Sequence, residues 1–245
     1  MTHQLLLNIR LKDGCSFDNF LAASNREPLT QLRGVLASIR AGNDPTQQIC
    51  FFWGEPASGK THLLQAACQW AKSADTVAPV YVPLGLSAQI SPAILQDLGQ
   101  QRLVCVDDID RISGDCAWER ALFSVCERLR EKGGLLVAAG RNRPSKLGLA
   151  MPDLATRLAW GLVYKLRSLK GDEMLKAMQL RAHNRGLDIP DEVMRYVFRR
   201  YPRDARSLFN LLERIDEASL AKQRRVTIPL VRALENLGDA RDQHH

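Results

Sequence analysis

Residues Gly54-Glu55-Pro56-Ala57-Ser58-Gly59-Lys60-Thr61 spell a complete G-x-x-x-x-G-K-[ST] loop. An apolar run, Ile49-Cys50-Phe51-Phe52-Trp53, comes directly before it. After it, His62 to Ser73 carries Leu63, Leu64, Ala67 and Trp70 at helical spacing. Strand, loop and helix in that order are the setting this motif requires. The glycines let backbone N–H groups turn inward on a phosphate chain, and the positive end of the next helix favours that anion. Lys60 is placed to neutralise terminal phosphates, and Thr61 offers a hydroxyl to Mg²⁺.

The surrounding pattern extends the same architecture. Apolar runs at 49–53, 79–84, 103–107, 135–140 and 162–166 read as buried parallel strands, most of them separated by helical segments. That alternation predicts an α/β sheet covered on both faces. Phe17 to Arg40 reads as a turn and a helix, with Leu29, Leu32, Leu36 and Ile39 on one face. Ser91-Pro92 starts a helix with proline in its first position. Asp115 caps a helix through Leu129, and Gly133 ends it. After Leu169 the period becomes purely helical: Asp172–Arg185, Pro190–Arg200, Asp204–Lys222 and Pro229–Leu237, with Gly186, Pro202 and Pro229 as breakers. The expected organisation is an arm at 1–16, an α/β nucleotide-binding domain at 17–168, a small helical domain at 169–237 and a polar tail at 238–245.

Composition narrows the function classes. No apolar stretch approaches the ~20 residues that span a bilayer. The start of the chain lacks a basic n-region and a cleavage site, so a cytoplasmic protein is expected. The six cysteines (15, 50, 68, 105, 116 and 126) form no C-x-x-C pair and read as reduced thiols rather than metal ligands. A net charge of +7 permits nucleic-acid binding. The basic residues gather late, at Arg195, Arg199, Arg200, Arg203, Arg206, Lys222, Arg224 and Arg225. Solvated helix faces account for most of them, and no DNA-binding module follows, which argues against direct sequence-specific DNA binding.

Further residues complete a phosphate site. Leu103-Val104-Cys105-Val106 ends in Asp107-Asp108. Asp107 at a strand tip can hold Mg²⁺ directly or through water, and Asp108 could polarise an attacking water. The run Leu135–Gly140 leads into Arg141 and Asn142, either of which could stand beside a γ-phosphate. Arg157 lies just before the last apolar run, and Arg206 opens the third helix of the helical segment.

Together these stretches resemble the AAA+ ATPases, and within them the DnaA branch of replication initiators. Phe17-Asp18-Asn19-Phe20 is similar to the segment that opens the initiator's nucleotide domain near the adenine. Gly54–Thr61 and Val106–Ile109 match the phosphate and metal motifs, and Leu154–Gly161 resembles the arginine-finger segment. Arg206 falls where the family places a lid arginine that reaches the nucleotide. The resemblance implies a P-loop AAA+ core with a five-stranded parallel sheet and an all-helical lid, binding ADP or ATP with Mg²⁺. It implies Phe17, Phe20, Gly54, Glu55, Pro56, Ala57, Ser58, Gly59, Lys60, Thr61, His62 and Arg206 around the nucleotide, Thr61 and Asp107 on the metal, and Asp108, Asn142 and Arg157 in the chemistry. The family's sensor aspartate after the fourth strand is replaced here by Arg141 or Asn142.

The initiator's helix-turn-helix domain and its N-terminal helicase-interaction domain have no counterpart in this sequence. Such a module is similar to the Hda group of regulatory homologues, which begin with a sliding-clamp-binding peptide. Gln4-Leu5-Leu6-Leu7-Asn8-Ile9 matches that peptide at Gln4, Leu5, Leu7 and, conservatively, Ile9, and departs from it at Leu6 and Asn8. What the resemblance implies is a negative regulator of replication initiation. It would dock on the DNA polymerase III β clamp, and so near the nucleoid, and present Arg157 in trans to ATP held by DnaA. A homo-oligomer is compatible with this. The alternatives are an autonomous AAA+ ATPase acting on DNA or as a helicase loader, and a nucleotide-stabilised scaffold.

Overall fold

A computed structural model describes residues 15–72, 78–201, 205–222 and 226–234, with backbone alone at 205, 206 and 219–222. The chain divides into two compact units between Ser168 and Leu169. In the first unit the strands are β1 (Ile49–Trp53), β2 (Pro79–Pro83), β3 (Leu103–Asp107), β4 (Leu135–Gly140) and β5 (Leu162–Lys165). They form one sheet in the order β2-β3-β4-β1-β5, and every pairing is parallel. The second and fifth strands each stop one residue short of their apolar runs. Leu166 is nonetheless buried, and its N–H donates to Trp53 O at 2.7 Å.

The strands are apolar throughout because alternate residues serve different cores. Cys50, Phe52, Leu103, Cys105, Leu135, Val137 and Ala139 face one layer, built from α1 (Arg26–Arg40) and α2 (Lys60–Lys72). Ile49, Phe51, Val104, Val106, Leu136 and Ala138 face the other, built from α3 (Cys116–Lys132) and α4 (Pro152–Ala159). Period 2 along a doubly covered strand requires this division. Phe51 and Phe52, adjacent in sequence, are both fully buried on opposite faces. Each contributes about 1.5–3 kcal/mol by leaving water.

Caps fix where the helices stop. The Asp115 carboxylate accepts from the N–H of Ala117 and Trp118, which starts α3. Gly133, at φ 67°, ends it in the left-handed conformation open to glycine. The helix thus runs to Lys132, past the expected Leu129. Ser91 caps a helical turn as its sequence suggests, but only the 3-10 turn Pro92–Leu95 forms. The segment then presses on α3: a Cβ at Gly99 would collide with Arg128.

The second unit contains α5 (Asp172–Asn184), α6 (Asp191–Arg200), α7 (Ala205–Lys222) and α8 (228–234). Its core is Met174, Met178, Val193, Met194, Val197, Leu208, Leu211, Ile215, Val226 and Val231. Arg181 is buried here, with Nη2 3.3 Å from Glu213 and its guanidinium over Phe209. Among the described residues no helix is long and apolar enough to cross a membrane.

Candidate functional site

The loop after β1 and the tip of β3 lie at the same edge of the parallel sheet, the carboxyl edge where α/β folds bind ligands. Lys60, the first residue of α2, is buried. Its Nζ donates to Gly54 O and Glu55 O at 2.8 Å each, and to Ser58 Oγ at 3.3 Å. Burial lowers the Lys60 pKa, while the charges of Asp107, Asp108 and Asp110 work against that shift and Arg141 adds to it. Glu55, Pro56 and Ala57 stay exposed at the loop's crest, with Ala57 at φ 60°. Gly59 is at φ 92°, and a Cβ there would lie 2.8 Å from the Phe20 ring.

Asp107 closes β3 and is 1% exposed. The Thr61 hydroxyl bonds to it, the Tyr81 hydroxyl donates to Oδ2 at 3.0 Å, and the Asp108 N–H donates to Oδ1 at 3.0 Å. Burial raises the Asp107 pKa above the usual carboxylate range, and these hydrogen bonds oppose it. Thr61 and Asp107 are therefore paired, a hydroxyl and a carboxylate side by side. That oxygen pair suits a hard divalent cation held with phosphates. The buried carboxylate near a buried ammonium fits a Mg²⁺–nucleotide, with Lys60 on the phosphates and Thr61 and Asp107 on the metal.

Asp108 is half-buried at φ 57°, ψ 45°, a left-handed conformation that aspartate tolerates better than most residues. Its Oδ2 would lie 3.1 Å from a Cβ at Gly85. Of the two residues after β4, Arg141 is the one tied to this cluster. Its N–H donates to Asp110 Oδ1 at 3.0 Å, and its Nε is 3.3 Å from Asp110 Oδ2. Asn142 is exposed one residue further on.

The segment before α1 divides its two aromatics. Phe20 meets the His62 ring edge-on at 5.4 Å and borders Gly59, so it lies against the loop. His62 Nε2 is 2.8 Å from Ser16 O, which ties the segment to α2. Phe17 instead belongs to the core between α1 and the sheet, with Arg33 over its outer face.

Arg157 is engaged elsewhere. It sits on α4, with Nη2 2.5 Å from Glu127 Oε1 of α3, and its guanidinium lies over Trp160 and Phe123. Its ion-pair partner is Glu127, not the nearer-in-sequence Asp153. The side chain is 13% exposed. Arg206 lies in the first turn of α7 in the second unit, where the backbone alone is described. Gln4, Leu5, Leu7 and Ile9 lie outside the described residues.

Sequence reasoning missed Tyr81, Asp110, Glu119 and Glu127. Glu119 is fully buried and accepts from the N–H of Gly114 at 2.8 Å, Ala150 at 3.0 Å and Met151 at 2.7 Å. It therefore fixes the entry to α4. Its signal was an acid on an otherwise core-facing stripe of α3, beside Trp118 and Leu122.

Comparison with known proteins places this geometry. Residues 171–234 match the family described as Hda, lid domain. Domain III of the Thermotoga maritima replication initiation protein DnaA superposes with a TM-score of 0.71 at 17% identity, over 89% of this chain and 94% of that one. A replication initiator DnaA bound to AMPPCP and single-stranded DNA gives 0.67 at 20% identity, over 88% of this chain and 70% of that one. AMPPCP-bound DnaA from Aquifex aeolicus gives 0.64 at 19% identity, over 84% and 66%. At these identities the likeness is one of fold.

Proposed function

We propose that this chain, which shares the fold of DnaA domain III and matches the Hda lid family over residues 171–234, is a nucleotide-bound AAA+ regulator of the DnaA branch that stimulates ATP hydrolysis by DnaA. The observation that carries this is the separate employment of its two functional cations. Lys60 lies within the field of Asp107, Asp108, Asp110 and Arg141. Arg157 is occupied with Glu127, Phe123 and Trp160 on the layer that covers the opposite face from α2. A cation employed away from its own phosphate loop suits work on another subunit's nucleotide. A guanidinium is permanently charged and can fork across two phosphate oxygens. Supplied in trans during phosphoryl transfer, it can raise the rate by ~10³–10⁵.

In this reading the chain's own loop holds ADP or ATP with Mg²⁺ through Gly54–Thr61 and Asp107, with Phe20 and His62 at the adenine end. The bound metal would offset phosphate charge. Residues 4–9 would tether the protein to the sliding clamp and so raise its local concentration near DNA-bound DnaA. Arg157→Ala should retain binding of Mg²⁺–ADP and of the clamp, and lose DnaA stimulation by a hundredfold or more, on the order expected for a missing finger. Arg157→Lys should recover little, since a point charge lacks the fork. The check is ATP turnover by DnaA with this protein and DNA-loaded clamp. Full stimulation by the alanine variant would remove this reading.

The second reading is an autonomous ATPase. It is favoured by Asp108, half-buried beside the Asp107–Thr61 pair. It requires turnover by the isolated protein, lost in Asp108→Asn, without DnaA or clamp.

A further inference from the structure

Arg157 is not a free surface arginine in its own subunit. The Glu127 carboxylate pairs with it on one side, and the Trp160 ring lies 3.9 Å from its guanidinium carbon on another. Two of its nitrogens, Nε and Nη1, are buried without a hydrogen-bond acceptor. Unsatisfied donors on a buried cation are unfavourable, and a bound phosphate would satisfy them with the planar fork that guanidinium offers. The residue over this arginine is the opposite case. Trp160 is 64% exposed, the more exposed of the two large hydrophobic residues at the surface among the described residues. Tryptophan is the kind of side chain that anchors a docked partner.

The backbone under the ring is fixed. The Trp160 N–H donates to Arg157 O at 3.1 Å, and Gly161 lies so close to β1 that a Cβ would be 1.9 Å from Ile49 O. Glu127 has a second cation: Arg130 Nη2 is 3.2 Å from its Oε2. When Arg157 leaves, the carboxylate keeps Arg130 on Oε2, while its buried Oε1 has no hydrogen-bond partner.

We infer that Glu127 and Trp160 form a clasp that stores Arg157 against its own subunit, and that an ATP-bearing subunit docking over Trp160 draws the guanidinium onto its phosphates. This rests on the in-trans reading of Arg157 given above. The occupant follows from complementarity: an unsatisfied guanidinium calls for a polyanion, and a bare indole beside it calls for a protein surface. Glu127 and Trp160 are positioning residues. Before docking, only the fraction of molecules with Arg157 released is competent, and apparent affinity falls in proportion.

The test is DnaA ATP hydrolysis on DNA-loaded clamp, titrated with the full-length chain carrying Glu127→Gln, Trp160→Ala, Trp160→Phe or Arg157→Ala. Glu127→Gln should lower the half-saturating concentration about fivefold, the upper range for a partly exposed ion pair, with the maximal rate unchanged. Trp160→Ala should raise it on the order of thirtyfold, as for a central anchor, and Trp160→Phe should recover most of that loss. Melting curves with Mg²⁺–ADP report folding. Should Glu127→Gln melt early, Glu127→Asp draws the carboxylate back while keeping its charge for Arg130, and should give the same shift. Unchanged half-saturation in either the Glu127 or the Trp160 variants, with Arg157→Ala inactive, would overturn the clasp and leave the finger standing. Full activity of Arg157→Ala would overturn the reading beneath it.

Discussion

At the scale of single residues, the phosphate site holds charge where an apolar strand end would be more stable. Asp107 is buried, and its pKa is raised chiefly by that burial. Above the raised pKa the folded state carries a desolvated carboxylate and loses stability relative to the unfolded chain. As pH falls through the raised value, that loss shrinks, and it vanishes below the ordinary carboxylate pKa. Asp107→Asn should therefore raise the melting temperature of the nucleotide-free protein at neutral pH and flatten its dependence in that window. The same variant should lose the Mg²⁺-dependent part of nucleotide stabilisation, and Lys60→Ala should lose most of the stabilisation itself. For the wild type, a hundredfold excess of ligand over Kd is worth about 2.7 kcal/mol. Differential scanning with and without Mg²⁺–ADP measures both effects. An Asp107→Asn protein that is no more stable without ligand would show that Tyr81, Thr61 and the Asp108 N–H already offset the desolvation.

At the scale of elements, what could be read from sequence depended on distance along the chain. β1, β3 and β4 have the limits of their apolar runs, because a strand buried on both faces needs no polar position. Asp115 and Gly133 were legible as caps because a cap acts on its own helix. The turn after Ser91 was not legible as a short one: the Gln96 carbonyl at its end accepts from Arg128 of α3, far away in sequence. The same holds for the site. Lys60, Thr61 and Asp107 belong to local motifs, while Tyr81, Glu119 and Glu127 act on residues far away in sequence. Glu119 gives this a measurable form. It joins α3 to the start of α4 through three backbone N–H groups. Glu119→Ala would leave those three part-buried donors unpaired, at about 3 kcal/mol. For a chain of this size that is roughly a 6–12 °C fall in melting temperature. Thermal unfolding followed by circular dichroism checks it; a fall under a few degrees would mean water replaces the carboxylate.

At the scale of the whole molecule, two units have separate cores, and the sequence leads us to propose an N-terminal arm at residues 1–16. Gln4, Leu7 and Ile9 are expected to bind the sliding clamp as a short linear peptide, with Leu7 and Ile9 in an apolar pocket. Replacing all three by alanine should remove retention on immobilised clamp and leave the melting temperature within a degree or so, as is usual for substitutions outside a packed core. A triple variant that unfolds would instead assign the arm to the fold. Arg157→Ala should retain clamp binding, so the two variants fail at different steps of one assembly.

The close approach of Gly161 to Ile49 has a geometric consequence. Ile49 opens β1 and Trp53 delivers that strand into the phosphate loop, so one five-residue strand carries both the floor beneath Trp160 and the root of Gly54–Thr61. A strand of that length spans about 13 Å and does not stretch. The strand therefore fixes, within one subunit, the separation between the floor beneath Trp160 and the root of its own phosphate loop.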